Sequence, residues 1–346
     1  MGFERLRAAT AWWSCWRPGS AWLVVATCLC MYGCDTASPE RETGSAPADG
    51  LQARTQARLD SLDAQSSAYA KHLPTGREIA VRADEPISSH SVIKVCIMVL
   101  AYRDAEAGRL DLNERYTVTP DDLRGGTGLI KTFAPGLRPT YRDLVTQMIT
   151  TSDNSATDIV LKRLGRERVN AMLEELGYQH TRVLTTTGDL FRARWVMEDP
   201  ANASMTDREV FEGGSPQGGP DRWEKGLEFE RVHRLGQTTA REMSRLLEQI
   251  YNAELASRES SDEMVRILSA QFYSSRLPQL VRYQGVRVAH KTGDGPPYAG
   301  NDVGILFYEG GPTVVSVFTH QNRGDDFFEL EARIGRIAED LVKSWH

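Results

Sequence analysis

Cysteine is almost missing from the body of this 346-residue chain. Four of its five cysteines, Cys15, Cys28, Cys30 and Cys34, fall in the first 34 positions, and only Cys96 follows. A lone thiol excludes an intrachain disulfide framework after residue 34. Cys96 lies in an apolar helical run and reads as a core residue. A basic block is missing too. The formal net charge is −6 with both signs dispersed, so nothing points to nucleic acid, and a mildly acidic surface favours solubility. No long apolar run exists: the one candidate, 21–33, is too short for a comfortable membrane span. Internal repeats are absent as well. What remains is ordinary globular composition, 40% hydrophobic and 25% charged, with length for one large domain or two small ones.

The first 34 residues have their own pattern. Arg5, Arg7 and Arg17 precede the apolar run, which ends in Met31-Tyr32-Gly33-Cys34. A positive leader and a short apolar core suit a signal peptide. A small residue followed by cysteine resembles a bacterial lipoprotein processing site, which makes Cys34 the expected lipidated first residue. An uncleaved N-terminal anchor and an ordinary signal peptide cut nearby account for the same residues. All three place the rest of the chain outside the cytoplasm. Residues 35–50, rich in Ser, Pro, Gly, Ala and charge, cannot bury a core and read as a flexible tether.

Leu51, Leu59 and Leu62 predict a first helix over 51–64. Strand-like runs near 66–72 and 77–83 flank Pro74-Thr75-Gly76 and predict a hairpin. From Ser91 the pattern is helical, with Val92, Val95, Cys96, Val99 and Leu100 forming a stripe. Helices are predicted near 139–150 (Thr140 as cap), 154–164, 167–176, 239–252 and 261–272. Alternating β-branched runs near 286–291, 302–308 and 313–319 predict strands, and 326–344 a closing helix. The stretch 179–236 shows no period and includes Gly213-Gly214-Ser215-Pro216-Gln217-Gly218-Gly219-Pro220; it reads as a long loop, a feature that is often functional. Strands at both ends and helices between predict an α+β fold. An antiparallel sheet with flanking helices (51–90 and 262–346) would carry an inserted helical domain (91–261).

Three short motifs carry chemistry. Ser91-Val92-Ile93-Lys94 puts a hydroxyl and an amine on one helical face. Serine needs a base to become a nucleophile, and lysine serves only if desolvation or neighbouring charge lowers its pKa. Ser152-Asp153-Asn154 precedes a helix, where capping alone would explain it; the functional reading turns the Ser152 hydroxyl toward a cleft and offers the Asn154 amide to substrate. Lys291-Thr292-Gly293 ends a strand-like run. It would supply positive charge, a hydroxyl and close backbone approach to an anionic substrate, or be merely a strand entering a turn.

Alone, each motif is weak. In this order they resemble the penicillin-recognising serine hydrolases, and class A β-lactamases in particular. The resemblance runs from about residue 51 to 346. It extends to the stretches 87–94, 144–154, 238–243 and 290–293 with Asn301-Asp302. It implies that Ser91 attacks an acyl carbonyl, Lys94 activates it and Ser152 relays a proton to the leaving nitrogen. It implies that Asn154, Lys291, Thr292 and Gly293 hold the substrate, with an oxyanion hole from the N–H groups of Ser91 and Asp294. Donors of this kind are worth about 3 kcal/mol each. The implied enzyme takes a small β-lactam or peptidoglycan-like substrate and needs no metal or organic cofactor. It would work as a monomer on a lipid anchor.

The resemblance is loosest where the acyl-enzyme must be hydrolysed. In class A a glutamate on the omega loop holds the water for this step. Ser152 and Lys291 lie 139 positions apart (291 − 152), longer than the family pattern, with the excess in 179–236. Arg222-Trp223-Glu224 resembles the omega-loop motif, but Glu228 stands where the family has Asn, and Leu235-Gly236-Gln237 replaces its Asp. Glu198 with Asn202 is the rival pair. The base is therefore Glu224, Glu198 or neither. A β-lactamase, a D,D-peptidase or esterase-like relative, and a penicillin-binding sensor that keeps its adduct are the three functional expectations.

Overall fold

The computed structural model describes residues 48–216, 221–324 and 326–345. The expected signal peptide, Cys34 and most of the tether lie outside the described residues.

Helices α1 (Ala48–Asp60), α2 (Lys94–Glu106), α3 (Tyr141–Thr150), α4 (Asn154–Leu164), α5 (Arg166–Glu175) and α6 (Thr187–Glu198) come first. They are followed by α7 (Asp207–Gly213), α8 (Arg222–Val232), α9 (Ala240–Tyr251), α10 (Arg258–Ser269), α11 (Pro278–Val281) and α12 (Phe327–Ser344). The strands are β1 (Gln65–His72), β2 (Glu78–Val81), β3 (Ile87–Ser88), β4 (Arg182–Val183), β5 (Gly236–Thr238), β6 (Arg287–Gly295), β7 (Ala299–Phe307) and β8 (Thr313–His320).

Five strands form an antiparallel sheet in the order β2-β1-β8-β7-β6, so β1 of the hairpin pairs with β8, more than 240 positions later. Strand β8 is buried at every position, so the alternation expected over 313–319 does not hold: a strand covered on both faces is buried on both. One sheet face packs on α1, α11 and α12 through Leu51, Val315, Val317, Ile334 and Leu341. The other face packs on the helical part through Tyr69, Ala289, Val303, Ile305 and Phe318. This is the α+β arrangement the sequence predicts. The boundary expected at 261/262 falls inside α10, so the chain does not break there.

Two expectations need correction. Ten of the thirteen residues of α2 are buried, not one stripe, because this helix is wrapped on every side and its apolar surface goes all round. The stretch 179–236 is not structureless: it holds α6, α7 and α8, and its ends join β3 in a second small sheet, β3-β5-β4. Its helices escape a search for apolar period because few of their residues are buried. Their caps are legible instead. Thr186 accepts from the Asp189 amide, and Thr206 and Glu209 form a capping box. Thr140 caps α3 as predicted, paired with Asp143.

Candidate active site

The nucleophile turn follows β3. His90 takes φ +45°, which swings the chain into a single 3₁₀ turn over His90–Ile93 before α2 begins at Lys94. Residues three apart eclipse in a 3₁₀ turn, so Ser91 and Lys94 lie on one side. Ser91 is half-buried and lines a cavity of about 380 Å³. Lys94 is fully buried.

Ser152 sits between α3 and α4 with φ +54°. The capping reading of Ser152-Asp153-Asn154 holds, at its middle residue. Asp153 is the helix cap: its carboxylate accepts from the Ala156 and Ile130 amides, at 2.9 and 2.8 Å. Ser152 and Asn154 meet the buried amine. Lys94 Nζ donates to the Ser152 carbonyl oxygen at 2.8 Å, to Asn154 Oδ1 at 2.9 Å and to Ser152 Oγ at 3.3 Å.

Lys291 approaches from the sheet. Its Nζ donates to Ser152 Oγ at 3.0 Å and to the Thr292 carbonyl at 2.7 Å. One hydroxyl therefore joins two buried amines. Burial pushes the Lys94 pKa down to about 7, against the opposing pull of Asp153, Asp158 and Asp294. Burial, together with the neighbouring Lys94 charge, takes Lys291 well below its ordinary value. Thr292 Oγ1 is buried without a hydrogen-bond partner among the described residues.

Gly293 does not end its strand, since β6 continues to Gly295 against β7. A Cβ at Gly293 would lie 2.7 Å from the Ser89 carbonyl oxygen and 3.2 Å from His90 Cβ. The glycine brings the nucleophile turn against β6, a packing demand at least as strict as the substrate approach the motif suggests.

The Asp294 carboxylate contacts the buried Arg276 guanidinium, which also meets Glu331 at 3.0 Å and the Asn301 carbonyl at 3.0 Å. Burial works against the Asp294 charge, but Arg276, then Lys291 and His90, hold its pKa below the ordinary value. Arg276 lines the same cavity. Sequence reasoning did not find it, because Ser274-Ser275-Arg276-Leu277 carries no period or motif.

The two expected bases lie elsewhere. Glu224 is exposed on α8. Glu198 pairs with Lys225 at 2.9 Å beside a different cavity of about 480 Å³, and Asn202 donates to the Trp195 carbonyl. Glu228 is exposed and paired with Arg231. The α8 carboxylate that lines the Ser91 cavity is Glu230. Glu224 and Glu230 are six residues apart, about 240° round a helix, so one faces in when the other faces out. Glu230 is 4% exposed and sits 3.1 Å from His90 Nε2. Burial favours its neutral form, yet His90 and His320 outweigh that and bring its pKa to about 2.

An antiparallel sheet with an inserted helical part and a cleft at their seam, carrying a helix-start serine and two buried lysines, defines a penicillin-recognising serine hydrolase. A sequence profile of the beta-lactamase enzyme family matches residues 50–345. The chain belongs to that family. It is 26% identical over 302 residues to a beta-lactamase of Streptomyces fradiae, covering 82% of this chain and 86% of that one. It is 30% identical over 150 residues to a beta-lactamase of Streptomyces albus G, covering 40% and 48%. Among solved structures, the beta-lactamase of Sphaerobacter thermophilus superposes with TM-score 0.68 at 23% identity, covering 86% of this chain and 97% of that one. A PBP-A variant solved as an acyl-enzyme complex with penicillin G gives 0.67 at 21%, covering 86% and 96%.

Proposed function

We propose that this protein is a serine hydrolase that opens the β-lactam amide through an acyl-enzyme on Ser91. The observation that carries the reading is the Ser152 hydroxyl, held within 3.3 Å of both Lys94 and Lys291 beside the Ser91 cavity. Lys94, near pKa 7, is available as a free base around neutral pH. It takes the Ser91 proton as Oγ attacks the carbonyl carbon, and Ser152 passes a proton to the leaving nitrogen. The backbone N–H groups of Ser91 and Asp294 receive the oxyanion. Asn154, Lys291 and Thr292 orient the substrate. We infer a periplasmic lipoprotein tethered through Cys34, on the strength of the N-terminal pattern alone.

A second reading has its own support. Neither Glu224 nor Glu198 lines the cavity, and Glu230, which does, is held near pKa 2 by two histidines and is a weak base. Acylation that outpaces hydrolysis makes a penicillin-binding protein with a long-lived adduct.

One experiment separates them: the full chain is mixed with a penicillin, and intact mass and ring opening are followed together. Sustained ring opening, lost in Ser91→Ala and unchanged within about twofold in Glu224→Gln, supports the hydrolase. A stable one-to-one adduct without turnover supports the second reading. No adduct and no ring opening sinks both, and release of D-alanine from a cell-wall peptide would then identify a D,D-peptidase.

A further inference from the structure

His90, Glu230 and His320 come from the nucleophile turn, α8 and the end of β8, and they converge behind the cleft. One ligand-type atom from each lies within 4.8 Å of the other two. Each also leaves one buried polar atom without a hydrogen bond among the described residues: His90 Nε2, Glu230 Oε2 and His320 Nδ1. Buried polar atoms are rarely left so, and His320 Nε2 also lies 3.6 Å from Glu230 Oε2, so all three side chains meet at this carboxylate.

His90 Nε2 and Glu230 Oε2 are 3.1 Å apart yet are not aligned as a hydrogen bond. Bonds of 2.0–2.2 Å to a tetrahedral zinc put neighbouring ligand atoms about 3.3–3.6 Å apart, pointing at the ion and not at each other. His320 donates its Nε2–H to the Glu230 carbonyl oxygen at 2.9 Å. A carbonyl only accepts, so Nε2 carries a proton in this contact, and Nδ1 is the ring nitrogen without a hydrogen-bond partner among the described residues. Metal-binding histidines usually hold their other nitrogen in this way. The packing is tight: a Cβ at Gly295 would fall 2.6 Å from His90 Cε1 and 3.0 Å from Glu230 Oε1, so the glycine is what lets both side chains reach this point. His90 and Glu230 also line the Ser91 cavity, which gives an ion a way in.

We propose that His90, Glu230 and His320 form a binding site for a zinc-type divalent cation, with a fourth position open toward the cavity. Two imidazoles and one carboxylate are a zinc ligand set. The resemblance to class A enzymes calls for no metal, so the site stands apart from the Ser91 chemistry and does not depend on the proposed function. A bound ion would tie α8 to the nucleophile turn and raise the stability of the folded state with the logarithm of the free-metal concentration above its dissociation constant.

The test uses the full chain freed of metal by a chelator, titrated with zinc chloride by calorimetry and by metal analysis after dialysis. Glu230→Gln and His320→Gln are compared with the parent. The expected result is one zinc equivalent bound by the parent and missing from both variants, with affinity at least tenfold lower in each. Cobalt(II) serves as a second probe: the parent should develop the strong visible bands of a tetrahedral ion, and His320→Gln should not. Thermal unfolding of the metal-free proteins checks folding. Should Glu230→Gln fail to fold, His320→Gln with the cobalt spectrum decides. Equal zinc uptake by parent and variants, or a parent that takes up none, overturns the proposal.

Discussion

Ser152 was legible as a motif serine, but its role rests on two neighbours the sequence scatters. Lys94 and Lys291, 197 positions apart (291 − 94), both donate to its Oγ. Their chemistry follows from burial. Lys94 has a folded-state pKa near 7, against about 10.4 in an unfolded chain. Below pH 7 it is protonated in both states, and the folded protein bears the full cost of a desolvated ammonium. Between pH 7 and 10.4 only the unfolded chain holds that proton, so stability rises with pH across this window. Urea unfolding of the parent and Lys94→Met should therefore show the parent gaining on the variant from pH 7 to 10, and a flat difference would remove the lowered pKa. Acylation by a penicillin should rise through about pH 7 for the same reason. Single residues with no motif to mark them were invisible beforehand. Arg276, Glu230 and His320 matter only through what packs on them.

At the scale of elements, the sequence is reliable where one face is buried and unreliable where all or none is. The hairpin, α3, α4, α9 and α12 were readable from caps and period. The three helices between β4 and β5 were not, because they have little buried surface to impose a period. That segment decides which carboxylate meets the cleft. A glutamate in a recognisable tripeptide at 224 faces water, and an unmarked one at 230 faces in. The contact between β6 and the nucleophile turn is a second element-level decision. Gly293→Ala should push Ser89 and His90 back by several tenths of an ångström. Overpacking of this sort costs about 1–3 kcal/mol, and the displaced Ser91 should acylate far more slowly. Thermal unfolding and adduct formation by mass read the two effects separately, and an unaltered rate would show that the turn can shift without loss.

Across the whole molecule, stability rests on a sheet buried on both faces by two apolar clusters. Among the described residues the one cysteine, Cys96, is free and buried. Its thiol is held protonated by burial. The folded part should then unfold at the same temperature with and without a reductant, and a reductant-dependent shift would reveal a cross-link that these residues do not show.

The class of fold, most elements, the three motifs and their order can be read along the chain, because apolar period, caps and spacing are local properties. Which ionisable groups share a cavity, the lowered pKa of two lysines, and the pair of histidines round the inward-facing carboxylate of α8 emerge only once the chain is folded. Desolvation and charge coupling depend on distances between segments hundreds of residues apart, and no local pattern records those distances.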